Sequence, residues 1–318
     1  MIESDTGYEI RDTDSELASL DSSPVNSPEL VNTPLLSAIP SDGISLFDTH
    51  CHLDAGLFTE DIEAVVERAA AAGVTWMVVP GLDLGNAAAV LALAEHFPDV
   101  HAAVGVHPNS AAGWREEWTD RLRELARHSK VVAIGEIGLD YYWDKTPPEV
   151  QYKALAQQLE LAAELSLPVI IHNREASADI IDMLATSPLN GHERPGVLHS
   201  FSGDWATAEA ALALAVFLGF TGPLTYKKAD DLRAITARVP LDHILIETDA
   251  PYLTPHPYRG KRNEPAYVRF VAERLAEVRN LSLSEVAEIT TANALRLFGI
   301  DGRQSTTDIG PQTTVRNN

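Results

Sequence analysis

Cysteine is almost absent from this chain. The single thiol, Cys51, leaves no partner for an intramolecular disulfide and fits a reducing compartment. Long hydrophobic runs are missing too: none approaches the roughly 20 apolar residues that a membrane-spanning helix needs. The N-terminus has no basic start followed by a signal-length apolar stretch, so the sequence points to a cytoplasmic protein without a membrane association. Positive charge is scarce, with 24 Lys and Arg against 46 Asp and Glu and a formal net charge of −22. Tight non-specific coating of DNA is therefore excluded, because it rests on many cationic side chains releasing counterions from phosphates. Transient handling of strand ends at a metal site is still compatible with this charge.

Part of the acidity is peripheral. Residues 1–43 hold nine acidic groups and one arginine, Arg11, among Ser-Pro and Thr-Pro steps with no amphipathic period. Such a segment has too little apolar surface to offset the entropy of ordering it, and it reads as a disordered acidic extension. The tail over 302–318 reads the same way, which leaves 44–301 as the folded domain.

Within that domain, short apolar runs alternate with helical patterns. Strands are expected at 44–48, 75–79, 100–106, 131–135, 168–171, 196–199, 217–220 and 243–247. Helical periodicity fills 60–72, 84–96, 117–128, 148–166, 175–185, 204–214 and 229–238, with two further helices near 265–279 and 284–297. The strands are nearly continuous apolar runs, as strands covered on both faces should be. Eight strands alternating with helices predict an α/β fold of the (β/α)8 TIM-barrel type.

Six residues that suit a divalent metal fall at the expected C-terminal ends of these strands: His50, His52, Glu136, His172, His199 and Asp249. A barrel collects all such ends on one face, whereas an open sheet would separate the first strand from the last. His50 and His52 are two apart, so a strand end points both the same way. Cys51, between them, faces the other side and reads as a buried filler. Four imidazoles and two carboxylates exceed what one catalytic ion takes from a protein, and they suffice for two ions sharing a bridging carboxylate. Glu136, on a middle strand, is the natural bridge, with His172 and His199 serving the second ion. Asp249 completes the first site or acts as a base. Two ions of Mg, Mn or Zn could activate water and hold the oxygens of a displacement at phosphorus. Asp48 and Glu247 are expected in supporting roles.

Other histidines read differently. His101 and His243 lie at strand starts, on the face given over to stability. His107, in GVHPN, lies at a strand end and is expected to touch substrate. Arg174 and Arg262 are candidate phosphate contacts within a basic rim that includes Lys227, Lys228, Arg259 and Lys261. Tyr141, Tyr142 and Trp143 could stack on bases or pack as a plug.

The motifs DTHCHLD, GVHP, IGEIGLDYY, HNR, HSFSG, ETDAPYL and RGKRNEP, in that order over about residues 45–298, resemble the TatD family of metal-dependent hydrolases, also called TatD-related deoxyribonucleases. The resemblance implies a TIM barrel with one or two divalent metals on His50, His52, Glu136, His172, His199 and Asp249. It also implies ester hydrolysis, foremost DNase action, of an exonuclease or endonuclease kind. Asn109 stands where GVHP is often followed by histidine. The competing activities are hydrolysis of another ester, such as an aminoacyl-tRNA, or of a cyclic amide. Many binuclear amidohydrolases bridge their ions with a carboxylated lysine, and Glu136 in that place favours the phosphodiester. No obligate protein partner is evident.

Overall fold

Runs such as VIIH and ILIE are apolar on both sides, and the fold covers both sides of each. The computed structural model describes residues 43–301. The proposed 302–318 tail and all but Gly43 of the proposed 1–43 extension lie outside the described residues. Eight strands form one sheet in chain order, each paired parallel with the next. They are β1 (Leu46–Asp48), β2 (Val74–Pro80), β3 (Val100–Val104), β4 (Val131–Asp140), β5 (Val169–Arg174), β6 (Gly196–Leu198), β7 (Phe217–Phe220) and β8 (Ile244–Ile246). The seam between β8 and β1 closes just beyond the strands. Asp249 N–H donates to the His50 carbonyl at 2.8 Å, and His52 N–H donates to the Ala250 carbonyl at 2.7 Å. The residues that complete the barrel are thus those of the expected metal set.

Helices α1 (Ile62–Ala71), α2 (Ala87–His96), α3 (Glu116–Leu125), α4 (Pro148–Leu165), α5 (Ser177–Thr186), α6 (Trp205–Ala213) and α7 (Asp230–Arg238) link successive strands. The pair α8 (Val268–Arg279) and α9 (Leu283–Phe298) follows β8. Their ends carry the expected chemistry. Asp204 caps α6 by accepting the Thr207 N–H, and Ser282 with Glu285 forms a capping box on α9. Gly299 ends α9 at φ 65°, a left-handed cap that glycine adopts without a Cβ clash.

The two-residue period of the strands sorts side chains into an outer layer against the helices and an inner column. Val169 and Ile171 belong to the large outer cluster, whereas Ile170 belongs to a smaller one with Phe47, Trp76, Val78, Ala103, Val197, Phe217 and Leu245. Leu297 and Phe298 of α9 join this inner cluster, and the Phe298 ring lies 5.9 Å from Phe47. The floor of the barrel is therefore sealed by apolar contact, and burial of each large side chain stabilises it by about 1.5–3 kcal/mol. One step further along the inner column the composition changes to His172, His199 and Glu247. Gly219 makes room for this layer, since a Cβ there would come within 2.6 Å of the Glu247 carboxylate.

β4 and β5 run three or more residues past the ends their sequence suggests. The expected end of β4 at Gly135 is corrected to Asp140, because Gly138, Leu139 and Asp140 pair with His172, Asn173 and Arg174. Glu136 and His172 consequently lie within strands rather than at their tips.

Candidate metal centre

The six expected residues converge in the barrel mouth, and Glu136 stands between them. Its Oε2 faces His50 Nε2 at 3.4 Å and His52 Nε2 at 3.7 Å. Its Oε1 faces His172 Nδ1 at 3.0 Å and His199 Nε2 at 2.8 Å. Asp249 Oδ1 lies 3.6 Å from His50 Nε2 and 3.4 Å from His52 Nε2, which are themselves 3.1 Å apart. On the other side, His172 Nδ1 and His199 Nε2 are 3.4 Å apart.

These spacings are those of donors around an ion. Two atoms each about 2.1 Å from one metal lie roughly 3.0–3.4 Å apart at octahedral or tetrahedral angles. The distances within the set His50, His52, Asp249 and Glu136 Oε2 run from 3.1 to 3.7 Å, and those within the set His172, His199 and Glu136 Oε1 from 2.8 to 3.4 Å, both close to that figure. The two facing nitrogens of His50 and His52 can share only one proton, so the first set is completed more naturally by a cation than by hydrogen bonds alone.

The electrostatics agree. Glu136 is 2 % exposed; burial alone would raise its pKa, yet His199, His50 and His107 outweigh that and hold it well below the usual range. Burial likewise opposes protonation of His52, but Asp249 and Glu136 prevail and raise it to about 9. His50, without such a dominant partner, is lowered to about 4 by burial and the neighbouring His199. Asp249 is held low by His52, His50 and His199 against the effect of burial.

His172 and His107 can be assigned tautomers from their partners. Asp140 Oδ2 accepts from His172 Nε2 at 3.0 Å, so without a cation the doubly protonated ring also donates from Nδ1 to Glu136 Oε1, and once that proton is displaced the lone pair is on Nδ1. His107 Nδ1 accepts the Asn109 N–H at 3.0 Å, so its hydrogen is on Nε2, which faces Glu136 Oε1 at 3.6 Å. Burial lowers His107 to about 3, and it is a neutral donor at the mouth. Proximity alone would group it with Glu136 and His172 as a metal set, but its nitrogen lone pair is already used. That hydrogen bond argues against ligation through Nδ1.

Beneath these side chains, Asp48 accepts from the Thr248 N–H and hydroxyl and from the His50 N–H, and burial raises it to about 8. Glu247 accepts from Thr49 Oγ1 and the Ser200 N–H, and burial raises it to about 7. Cys51 is fully buried with its thiol towards the Val78 carbonyl, away from the donor sets. The Nδ1 atoms of His50, His52 and His199 have no hydrogen-bond partner, and Glu247 Oε1 is 3.9 Å from that of His199.

The rim departs from expectation at Arg262. Its guanidinium donates to Asp61 Oδ1 and Oδ2 at 2.8 and 2.7 Å and to the Leu57 carbonyl, and it lies over the Phe58 ring. The bidentate carboxylate matches its planar fork, so the residue ties two loops together instead of presenting itself to phosphate. Arg174 lies over Tyr142, 4.1 Å from the ring centroid. Tyr141 donates to Asp179, and Trp143 packs edge-on against Tyr142. Arg259 covers Tyr226, and Lys261 contributes its carbonyl to Thr254.

Sequence reasoning missed Asp140. The signal was the two-residue strand period: Glu136, Gly138 and Asp140 share a face once β4 is known to continue. It also missed Leu57 and Tyr252. Among the described residues the exposed large apolar side chains are Leu57, Tyr142, Tyr152 and Tyr252; the first, second and fourth follow β1, β4 and β8 at the mouth. Tyr252 meets His52 edge-on, with centroids 6.2 Å apart.

A parallel barrel whose mouth gathers imidazoles around a shared carboxylate defines a metal-dependent hydrolase. Comparison with known proteins narrows the class. The sequence profile of the TatD related DNase family matches residues 47–299. A Bacillus subtilis protein named uncharacterized metal-dependent hydrolase YabD is 44% identical over 256 residues, covering 80% of this chain and 100% of that protein. The Pectobacterium parmentieri protein named 3'-5' ssDNA/RNA exonuclease TatD is 36% identical over 259 residues, covering 80% and 99%. The crystal structure of YJJV, a TatD homologue from Escherichia coli, superposes with a TM-score of 0.76 at 37% identity, covering 80% of this chain and 98% of that one. The chain belongs to the TatD-related DNase family. It is a hydrolase that uses divalent metal, and among the described residues no helix is long and apolar enough to cross a membrane.

Proposed function

We propose that this protein is a two-metal phosphodiesterase that shortens single-stranded nucleic acid from an end. The observation that carries the reading is the placement of the two Glu136 oxygens, one towards each imidazole pair. In this reading His50, His52 and Asp249 hold one ion, His172 and His199 hold the other, and Glu136 is shared. Bound there, divalent ions of the Mg, Mn or Zn kind supply an activated water and neutralise charge developing on phosphate oxygens.

The chain's own groups supply the rest. Asp249, anionic and 14 % exposed at its side chain, is placed to take a proton from the attacking water. His107 donates from Nε2 to a substrate oxygen at the mouth. Arg174 offers its guanidinium to phosphate beside Tyr142, and Arg262 is left to its loop. The exposed Tyr142 and Tyr252 give unpaired bases a surface to stack on, which favours a single strand over a duplex. The relatives named as exonucleases support the same substrate class. The lone buried thiol fits the reducing conditions of the cytoplasm.

Purified protein with Mg, Mn or Zn is to be incubated with labelled single-stranded DNA whose 3′ or 5′ end is blocked, beside an aminoacyl ester and a panel of cyclic amides. Stepwise shortening of DNA that one block abolishes is the expected result. Turnover of the ester or the amides alone would contradict the nuclease reading.

A further inference from the structure

His172 differs from the other imidazoles of the centre. Its rear nitrogen is held by a carboxylate, whereas the Nδ1 atoms of His50, His52 and His199 have no partner. That carboxylate, Asp140, is 1 % exposed and accepts four hydrogen bonds. Oδ1 takes the backbone N–H groups of Tyr142 and Trp143, both at 3.1 Å. Oδ2 takes His172 Nε2 and Asn109 Nδ2, both at 3.0 Å. All four partners are donors, so the group must present two acceptor oxygens, and an amide in its place would turn an N–H towards one pair. Asn109 comes from the loop after β3 and bonds the same oxygen as His172, which fixes the plane of the carboxylate. Its own backbone N–H sets the tautomer of His107.

We propose that Asp140, oriented by Asn109, is a positioning residue for the second metal site alone. It holds His172 with Nδ1 aimed at the ion shared with His199 and Glu136, and it has no contact with His50, His52 or Asp249. The same carboxylate anchors the start of the loop carrying Tyr142, so the second ion and the aromatic rim share one support. The proposal rests on the two-ion reading above, and its test uses metal binding, which is independent of any substrate.

Metal-free protein is to be titrated with Mn²⁺ alone, following both binding events, for the wild type, Asp140→Asn, Asn109→Leu and Asn109→His. Loss of an outer support for a ligating histidine weakens metal binding by about 10–100-fold. The expected result is a loss of that size at one site in Asp140→Asn and a smaller loss at the same site in Asn109→Leu, with the other site within about threefold of wild type. Asn109→His, which keeps an N–H donor, is expected to bind like the wild type. A purely structural role would lower melting temperature and weaken both sites together. Equal weakening of both sites, or unchanged second-site affinity in both Asp140→Asn and Asn109→Leu, would overturn the proposal. A wild-type isotherm with one site would overturn it together with the two-ion reading. If Asp140→Asn fails to fold, the two Asn109 variants decide the matter.

Discussion

Histidines stand at both ends of this barrel, and their surroundings are opposite. At the starts of the strands, His101 is buried near Lys130, and burial followed by that cation lowers it to about 4. His243, just before β8, stacks on Phe217 with centroids 5.2 Å apart and bonds Asp242. At the other end, carboxylates raise His52 and His172 to about 9 against the opposing effect of burial. The same residue type is a packed side chain where its neighbours are apolar or cationic, and part of a cation site where several carboxylates converge. Position along the strand decides which, because the inner column is apolar at the floor and polar at the mouth.

The comparison is broken most severely at its centre. Glu136→Gln removes the one negative charge placed between the two donor sets while keeping nearly the same shape. Both ions are expected to bind more weakly, and hydrolysis to fall by about a thousandfold, the scale seen when a charge-stabilising group is lost. Metal analysis and steady-state rates on the purified variant check it. Full metal content with near-normal turnover would show that Glu136 is no bridge.

The next effect is one of pH. His52 and His172, raised from 6.5 to about 9, carry protons at neutral pH in the metal-free protein. A metal must displace those protons, so affinity should rise by nearly tenfold per unit between about pH 6.5 and 8.5. The same shifts stabilise the metal-free fold fully below the unfolded value of 6.5, and that contribution is lost as pH rises through about 9. Titration calorimetry across this range, with melting curves of the metal-free protein, tests both signs. An affinity that does not change with pH would count against the protonated imidazoles.

His243→Ala sharpens the contrast from the other end. The ring is about a quarter exposed, with a side-chain exposure of 24%, in the turn before β8. Loss of its stack on Phe217 should cost about 1 kcal/mol in thermal or chemical unfolding, with metal content unchanged. A fall in bound metal would mean that the two ends are not independent. The smallest effect is expected from deleting residues 1–43, whose acidic, aperiodic composition offers little to a core. Melting temperature should move by less than about 2 °C and hydrolysis should persist.

Much of this arrangement was legible because two periodicities coincided. Alternation of apolar runs with helical patterns implied the barrel, and the barrel made sense of His50 and Asp249 being joined from opposite ends of the domain. The candidate ligand set followed from residue type at strand ends. Asp140 was not legible, since its role depends on β4 extending past Gly135, and the EIGLD segment with its glycine reads equally as a loop. Arg262 misled for a related reason: a basic residue near the mouth suits phosphate until Asp61, some 200 positions earlier in sequence, takes its guanidinium. The tautomer of His107 likewise depends on a backbone N–H whose direction no residue pattern records.

Crystals soaked in Mn²⁺ and measured by anomalous diffraction test the central claim most directly. Two peaks are expected about 3.5–4 Å apart at the mouth, one among His50, His52 and Asp249 and the other between His172 and His199, with Glu136 touching both. A single peak, or two peaks that leave Glu136 on one ion only, would contradict the account.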